Sequence, residues 1–411
     1  MILDKIKISE TPSVFTLELT SSYNHHCVGC GNVFGHTEQH LSYVEWKKIL
    51  DRISKYAFSL RITGGECTLH PEFDLIINEV ENLNMPYVIF TNGDWVGPDE
   101  IINILKKCKN CDGLLVSLQG YNAKSYHSYV KTDAFERVIF NIKKSVKAGL
   151  RVATNTVLTK SIHKNIEDIV TLGKKLGVFS IAFSRFCGQD LDDVELSENE
   201  FQAAFDLICR LNEKDKTIVL NNCVPACFTD KQIPVKGCTS GITHCTIGPD
   251  GYARPCTHSP IRLGDIRENS IEQLWNSELL KSWHSLIPES CFDCTSFAQC
   301  RGGCRALAYH KNLKHDPFIN FSNKHKNLNS KLITLEVNRD ARLIVNYRIK
   351  PQDFGFYLIN RNRHVPVKKE AAPILSILNH TPRLKDIEHQ FGKQALNFVG
   401  SLIVAGLVLT E

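Results

Sequence analysis

Short apolar runs alternate with amphipathic segments through the first half of the chain. The apolar runs, each bounded by turn-forming residues, cover 13–20, 58–63, 87–91, 113–118, 151–158 and 178–184. Between them, apolar residues recur every three or four positions near 43–54, 71–83, 98–107, 133–148 and 163–176. The first pattern indicates strands and the second indicates helices. Repeated strand–helix units predict an α/β fold whose parallel sheet curls into a partial (β/α)6 barrel.

The pattern changes after about residue 186. Ser197 and Glu200 form a capping-box signature, which predicts a helix that runs to about residue 211 and leads out of the barrel. A region with short strands and many cysteines follows, and a further change of pattern lies at about 331–340. We therefore predict three domains, with boundaries at 1–205, 206–330 and 331–411.

Composition and charge exclude several classes of protein. The chain has 411 residues and 43% hydrophobic content, which is enough for two or three domains with their own cores. Its 49 Lys and Arg against 44 Asp and Glu form no long block of one charge, so we expect no nucleic acid partner. No apolar run approaches the roughly 20 residues of a membrane span, and no signal peptide opens the chain. We expect a cytoplasmic protein with no membrane partner.

Sixteen cysteines are a high number for such a chain, and they cluster by position. In a chain with a sizeable core, such clusters indicate metal binding in a reducing compartment rather than a disulfide scaffold. Thiolates at short loop spacing select zinc or iron–sulfur clusters, so a pair of zinc sites is the alternative to iron–sulfur chemistry. Two groups of cysteines give the strongest signals. Cys291, Cys294, Cys300 and Cys304 have two, five and three residues between successive cysteines. The preceding group, Cys238, Cys245 and Cys256, has six and ten.

A second cysteine pair, Cys27 and Cys30, lies in the loop after the first predicted strand, where barrel-type folds place their chemistry. This loop resembles that of the radical S-adenosylmethionine (SAM) enzymes, which carry three cysteines spaced x3 and x2. Tyr23 stands where the first of these cysteines belongs. The resemblance implies a TIM-like partial barrel in which Cys27 and Cys30 bind a [4Fe-4S] cluster with one iron open for SAM.

The later cysteines resemble the SPASM extension of peptide-modifying radical SAM enzymes, which holds two auxiliary [4Fe-4S] clusters. The resemblance assigns Cys238, Cys256 and Cys304 to the first cluster, with Cys245 as fourth ligand, and Cys291, Cys294 and Cys300 to the second. The chain has no cysteine after Cys304. For the last ligand of the second cluster the sequence leaves open His315, Asp316 or an open site, with Cys223 and Cys227 as spare cysteines.

A glycine-rich turn ends the second predicted strand. Gly64, Gly65 and Glu66 resemble the turn that meets the amino group of SAM in this family, since glycines admit a ligand close to the backbone and a carboxylate pairs with an ammonium. Polar residues at later strand ends resemble the family's ribose and carboxylate contacts, although each alone also fits a capping or core-edge role: Ser117, Gln119, Asn155 and Arg185.

Tyr23 leaves three interpretations open. The chain is a degenerate member that has lost this cluster; or another side chain completes the site; or the tyrosine is a change introduced into an ordinary enzyme. Candidates for the substitute ligand are Tyr23 itself, His25, His26 and Cys67. A [4Fe-4S] cluster prefers soft thiolate, although tyrosinate binds iron in some haem sites.

The last domain resembles the small winged-helix module called a RiPP recognition element. Such modules bind a leader peptide as an added strand, which here points to residues 343–360. A DNA-binding winged helix is the alternative, but residues 394–402 contain no Lys or Arg. The pattern predicts strands near 343–349 and 355–360, followed by helices near 370–378, 383–391 and 394–405.

Together these resemblances imply a radical SAM/SPASM enzyme of RiPP maturation. It would modify a ribosomally synthesised precursor peptide through a 5′-deoxyadenosyl radical, by a crosslink or another C–H activation. The implied partners are the precursor peptide, whose leader the C-terminal domain binds, and a reductant such as flavodoxin or ferredoxin. The alternative is a catalytically degenerate homologue that serves as an iron–sulfur peptide-binding partner protein.

Overall fold

The computed structural model describes residues 8–31, 33–34, 38–188, 193–221, 223–229, 237–294, 296–323, 338–361 and 363–411. Its strands are β1 Val14–Glu18, β2 Ser59–Thr63, β3 Tyr87–Thr91, β4 Cys111–Ser117, β5 Val152–Leu158, β6 Ser180–Arg185, β7 Ile218–Leu220, β8 His244–Ile247, β9 Tyr252–Arg254, β10 Gly264–Asp265, β11 Leu343–Val345, β12 Arg348–Gln352, β13 Gly355–Asn360, β14 Arg363–Lys368 and β15 Val408–Thr410.

The helices cover the sheet and build the rest of the domains. They are α1 Tyr43–Ile53, α2 Phe73–Asn82, α3 Pro98–Leu105, α4 Ala123–Val130, α5 Phe135–Lys147, α6 Ile166–Leu176, α7 Glu198–Lys214, α8 Ile271–Trp275, α9 Glu278–His284, α10 Phe297–Cys300, α11 Arg305–His310, α12 Ala372–Leu378 and α13 Leu384–Val404.

One ten-stranded sheet organises the first two domains, in the order β10-β9-β8-β1-β2-β3-β4-β5-β6-β7. Strands β1 to β6 are the six predicted strands, and neighbouring members pair in parallel. The sequence did not indicate that β8 would pair in parallel with the free side of β1, with Val14 opposite His244. Strands β8 and β9 form an antiparallel hairpin, with Gly251 at φ 83° in its turn. The cysteine-rich region therefore continues the barrel sheet.

Side chains of the barrel strands alternate between two faces. Phe15, Leu17 and Leu19 are fully buried in the core that includes the α1 residues Trp46 and Ile49. Because side chains alternate along a strand, Thr16 and Glu18 face the other side of the sheet, as do Arg61 and Thr63 on β2. The inner face of the barrel is thus polar, which suits a polar ligand.

Helix boundaries follow local capping signals. The Ser42 side chain caps α1, and Ser197 caps α7 in a capping box with Glu200. The predicted domain boundary at 205 falls inside α7, and β7 beyond it still belongs to the barrel sheet. Helix α4, capped by Asn122, was not predicted.

The C-terminal domain contains a three-stranded sheet, β12-β13-β14, and a two-stranded sheet, β11-β15. Helix α13 is broken at Gly392, which has φ 75°, so α12 and the two halves of α13 are the three predicted helices. Strands β14 and β15 were not predicted. The domain has its own core, which includes Leu358, Leu375 and Leu402.

This domain packs at the amino-terminal ends of the barrel strands. Lys350 Nζ donates to Thr11 O at 2.7 Å and to Ser13 Oγ at 3.2 Å, just before β1. Arg361 pairs with Asp112 near the start of β4 at 2.9 Å. The domain therefore lies at the end of the barrel opposite the cysteine loop. Across the described ranges, the search for a helix long and apolar enough to cross a membrane found none.

Candidate functional site

The loop after β1 brings Tyr23, Cys27 and Cys30 together. The phenol of Tyr23 lies near both thiols; burial and the neighbouring Cys30 and Cys27 sulfurs raise its pKa above the ordinary value. Burial, and then the charge of Cys30, raises the pKa of Cys27 to about 12. The three residues of the motif therefore lie close together in the structure, with a phenol in the position of the first cysteine.

Asp94, in the loop after β3, braces the cysteine loop. Its carboxylate lies 3.2 Å from His25 Nε2 and 2.9 Å from Arg137 Nη2, and its carbonyl accepts from Asn24 Nδ2 at 2.9 Å. Although burial favours the neutral acid, hydrogen bonds from His25 and Arg137 hold the pKa of Asp94 below its ordinary value. His25 is therefore engaged in positioning the loop, and the geometry does not favour it as the substitute ligand.

Cys67 is also placed away from the cysteine loop. Its thiol is fully buried in the core on the helix side of the sheet and donates to Phe90 O at 3.5 Å. Burial and the neighbouring Glu66 carboxylate raise its pKa well above the ordinary value. His26 is exposed on the loop, and its backbone N–H donates to Val130 O. Of the candidate substitutes, Tyr23 is the one shown beside both Cys27 and Cys30.

The glycine turn after β2 packs directly on the cysteine loop. Gly65 N donates to Thr20 O and Glu66 N donates to Ser22 O, both at 2.7 Å. A Cβ atom at Gly65 would lie 2.3 Å from Ser22 O, and one at Gly64 would lie 2.6 Å from Thr20 O. The glycines are thus required by the close approach of two backbone segments, one of which leads into Tyr23.

The Glu66 carboxylate has a role that the sequence did not indicate. One oxygen accepts from Thr91 Oγ1 at 2.8 Å and Thr68 Oγ1 at 2.7 Å, and the other accepts from Asn92 N at 2.6 Å. Only 1% of the residue is exposed. The Glu66 carboxylate thus joins the loops after β2 and β3, and its predicted pairing with the amino group of SAM stays a prediction.

Ser117, the last residue of β4, lies beside Asn155 in the middle of β5. Asn155 Oδ1 accepts from Ser184 Oγ on β6 at 2.7 Å. Gln119, just beyond β4, accepts from Val157 N at 2.9 Å through its side-chain oxygen. Ser117, Asn155 and Ser184 thus form a polar row across three neighbouring strands, and the predicted contacts of Ser117 and Asn155 with SAM stay predictions.

Arg185 and Asp316 have different partners from those expected. Arg185 Nη1 and Nη2 donate to the two Asp316 oxygens at 2.9 Å each, and both side chains are buried. Asp316 also accepts from Cys304 N at 2.6 Å and from Phe318 N at 2.9 Å. The geometry therefore does not support Arg185 as a contact of the SAM carboxylate or Asp316 as an iron ligand. The ion pair instead joins β6 to the cysteine-rich domain.

Five cysteines form the first auxiliary group. Cys238, Cys256 and Cys304 come together as expected, with Cys187 and Cys223 added. The Sγ atoms of Cys187 and Cys304 are 3.9 Å apart, and the thiol of Cys223 donates to Cys238. This hydrogen bond holds the pKa of Cys238 below its ordinary value. The spacing between motifs gave no signal for Cys187, which follows β6 directly.

Cys245 is not part of this group. It lies on β8 between His244 and Thr246, and strand alternation turns its side chain into the hydrophobic core. Burial raises the pKa of Cys245 to about 12, and Arg254 acts in the opposite direction. The structure thus separates Cys245 from the cysteines with which it was expected to bind a cluster.

A second group forms around Cys300. Cys294 lies near Cys300, and Cys291 precedes Cys294 in the same turn. Cys227 comes from a distant part of the chain and lies near both Cys300 and Cys294; burial raises its pKa to about 11. His315 instead directs its ring nitrogen Nδ1 to the backbone oxygen of Asp316 at 3.1 Å.

Three arginines surround the first group: Arg305 is fully buried, and Arg61 and Arg301 are partly buried. Arg61 lies near Cys223, Cys256 and Cys238, and Arg301 and Arg305 lie near Cys238. The Nε atoms of Arg301 and Arg305 are buried without a hydrogen-bond partner. No carboxylate pairs with these three arginines among the residues that the structure describes. Buried charges are normally paired, so this environment fits an anionic group such as a thiolate-ligated iron–sulfur cluster.

Within the described ranges, the search for three or more His, Cys, Asp or Glu side chains placed to hold one metal ion found none.

Two family models match the chain at these sites. Residues 22–175 match the radical SAM superfamily, and residues 238–304 match SPASM, described as an iron-sulfur cluster-binding domain. These two matches show a radical SAM domain followed by a SPASM domain, and the protein is a radical SAM iron–sulfur enzyme. Its cofactors are [4Fe-4S] clusters and SAM.

Relatives place the chain more closely within that class. An AdoMet-dependent heme synthase of Methanosarcina barkeri is 25% identical over 333 residues, which cover 74% of this chain and 94% of the relative. The mycofactocin maturase MftC of Mycobacterium tuberculosis is 25% identical over 323 residues, 75% of this chain and 82% of the relative. The crystal structure of Streptococcus suis SuiB bound to precursor peptide SuiA shares the fold, with TM-score 0.62, 17% identity and 75% of each chain covered.

Proposed function

We propose that this protein modifies a ribosomally made precursor peptide by radical chemistry, through a crosslink or another activation of a C–H bond. The observation that carries this proposal is the shared fold with SuiB, whose structure contains its precursor peptide. Similarity to a mycofactocin maturase gives independent support. The similarity to a heme synthase means that the class alone does not define the substrate.

The residues of the barrel define the roles in this proposal. Cys27 and Cys30, with Tyr23 as the third ligand at the position of the first cysteine, would hold the cluster that binds SAM. Ser117 and Asn155 would orient the ribose of SAM on the polar inner face, while Gly64 and Gly65 keep the turn tight against the cysteine loop. Reductive cleavage of SAM supplies a 5′-deoxyadenosyl radical, which takes a hydrogen atom from the substrate. A flavodoxin or ferredoxin would supply the electron.

The C-terminal domain is proposed to hold the leader of the precursor peptide. Three strands followed by three helical segments fit a winged-helix recognition module. The outer strands of its larger sheet, β12 and β14, contain Pro351 and Pro366. Proline lacks an N–H donor, so these two edges are less suited to pairing with an added peptide strand.

The smaller sheet of this domain offers a more suitable edge. Strand β15 pairs with β11 alone among the described strands. Leu409 on β15 is 47% exposed, and Val404 at the end of α13 is 52% exposed. An extended apolar peptide would add a strand beside β15, which pairs with β11 at the start of the predicted contact region, residues 343–360.

Tyr23 supports a second candidate function. If the phenol does not complete the first cluster, the chain is a degenerate homologue that binds the peptide without modifying it. Both candidates predict leader binding and auxiliary clusters. They differ in whether the protein cleaves SAM.

The test uses the reconstituted full chain, SAM, a reductant and the precursor peptide encoded beside its gene. We expect 5′-deoxyadenosine to form and the peptide to change in mass. A Cys27→Ala variant is the control for uncatalysed cleavage, since it removes one of the two thiols at this site. Binding of the peptide with no 5′-deoxyadenosine above that control would establish the second candidate and reject the first.

A further inference from the structure

Cys223 and Cys227 lie four residues apart on the short segment that follows β7. Cys227 lies within a single 3-10 turn, Ala226–Phe228, and Cys223 lies three residues before that turn. The thiol of Cys223 donates to Cys238 in the first auxiliary group, whereas Cys227 lies near Cys300 and Cys294 in the second. One short segment therefore reaches both groups.

Several contacts hold this segment in place. Ala226 N donates to Cys300 Sγ at 3.2 Å, and Arg185 Nη1 donates to Cys223 O at 3.2 Å. The Phe228 ring stacks on Phe318 at 4.7 Å between centroids. The segment is thus attached to the second cysteine group, to the end of β6 and to an aromatic cluster. Its two cysteines are presented to the two groups by packing, not by a flexible loop end.

We propose that this segment completes both auxiliary clusters. Cys223 supplies the fourth thiolate beside Cys238, Cys256 and Cys304, and Cys227 supplies the fourth beside Cys291, Cys294 and Cys300. The proposal rests on the assignment of both groups to iron–sulfur clusters and is independent of the peptide substrate. It replaces Cys245 and Asp316, which the structure places in the core and in an ion pair.

Cys187 is the other thiol close to the first group, and the charge distribution separates its role from that of Cys223. Arg61 lies near Cys223, Cys256 and Cys238, and the fully buried Arg305 lies near Cys223, so the cations without a carboxylate partner are on the Cys223 side. The arginine near Cys187 is Arg185, whose charge Asp316 already neutralises. Four thiolates need compensating charge. Cys187 therefore donates a hydrogen bond to the Cys304 sulfur, at 3.9 Å, without binding iron.

A consequence is that the two clusters depend on the same segment. A change of ligand at Cys223 disturbs the backbone that also presents Cys227, and Ala226 N contacts the Cys300 sulfur between them. Hydrogen bonds to cluster sulfurs tune reduction potential. The segment thus couples the coordination of one cluster to the electronic environment of the other.

The test compares single alanine variants of the reconstituted full chain by iron and sulfide content and by electron paramagnetic resonance (EPR) of the reduced protein. Cys223→Ala and Cys227→Ala are each expected to lose up to about four irons, the content of one cluster, or to change the signal of one cluster. The main loss should fall on a different signal in each variant, with a smaller change in the other signal because the two clusters share the segment. Cys245→Ala is the matched buried-cysteine control and should retain the iron content and both signals of the wild type.

Three further variants test the assignment of ligands and distinguish ligation from misfolding. Cys223→Ser and Cys227→Ser keep an oxygen ligand, so they should recover iron relative to alanine while their EPR signals stay altered. Cys187→Ala should retain all iron and show only a lower reduction potential. The proposal is rejected if Cys223→Ala or Cys227→Ala has the iron content and spectrum of the wild type. It is equally rejected if Cys187→Ala or Cys245→Ala loses a cluster.

Discussion

Arg185 and Asp316 form a bidentate ion pair in which neither side chain is exposed by more than 3%. The pair joins the end of β6 to the loop after α11. The same carboxylate accepts the backbone N–H of Cys304, an expected ligand of the first auxiliary cluster. The barrel and the cysteine-rich domain are therefore held together at the point where the cluster lies.

Breaking this pair should be costly for stability. Asp316→Asn leaves the Arg185 charge buried without its partner, and such changes cost about 3–5 kcal/mol. We expect a lower midpoint of urea unfolding, measured by circular dichroism. Lys281→Ala, which removes an exposed pair with Glu278, should change the free energy of unfolding by less than about 1 kcal/mol. Equal stability of Asp316→Asn and the wild type would contradict this role.

The glycine turn after β2 should be sensitive to a single methyl group. In Gly65→Ala the new Cβ lies 2.3 Å from Ser22 O, so the backbone that leads to Tyr23 must move. We expect SAM affinity, measured by equilibrium dialysis, to fall about tenfold or more, which corresponds to about 1.4 kcal/mol. The matched control is Gly97→Ala, where a Cβ meets no atom within 4 Å. Similar affinities of the two variants would show that the close approach does not position the loop.

Lys350 should make the docking of the C-terminal domain dependent on pH. Burial lowers its pKa from the ordinary 10.5 to about 8, with Glu10 acting in the opposite direction. Between these values the unfolded chain binds more protons than the folded one, so stability due to this residue increases as pH rises from about 8 to 10.5. The gain is at most about 3 kcal/mol.

The measurement is the difference in unfolding free energy between wild type and Lys350→Met across that range. Titration of all other groups cancels in this difference. We expect the difference to move in favour of the wild type as pH rises. A difference that is independent of pH would mean that Lys350 keeps its ordinary pKa.

The edge of β15 should determine leader binding. Leu409→Asp places a charge on the exposed strand where an apolar peptide is proposed to add, so the affinity for a labelled leader should fall about tenfold or more. Leu279→Asp changes a residue of similar exposure, 48%, on α9 outside the domain and should bind the leader as the wild type does. Unchanged affinity in Leu409→Asp would move the leader site away from this edge.

The barrel strands could be predicted because the alternation of apolar residues and the turn residues at each end define them locally. Strand β3, Tyr87–Thr91, has the same bounds in the structure as in the prediction. The parallel pairing of β8 with β1 could not, since nothing in either strand specifies a partner so distant in sequence. For the same reason, Cys245 fitted the motif spacing but turns into the core. Cys223 has no motif of its own, yet it reaches Cys238 through tertiary packing.

Arg185 shows the same limit for charged residues. Its position at a strand end suggested a ligand contact, but its partner lies 131 residues further along the chain. Glu66 is similar, because its hydrogen bonds come from Thr91 and Asn92 on the next strand. Residue type and position indicated where the site lies. The individual contacts depend on how the strand ends meet.

The most direct test of the account is anaerobic reconstitution followed by iron and sulfide counting, with EPR of the reduced protein before and after SAM. Three clusters predict about twelve irons per chain and a signal that SAM perturbs. That result would show that the site of Tyr23, Cys27 and Cys30 binds a cluster and presents it to SAM. About eight irons and no response to SAM would contradict the catalytic function and leave a peptide-binding protein with auxiliary clusters only.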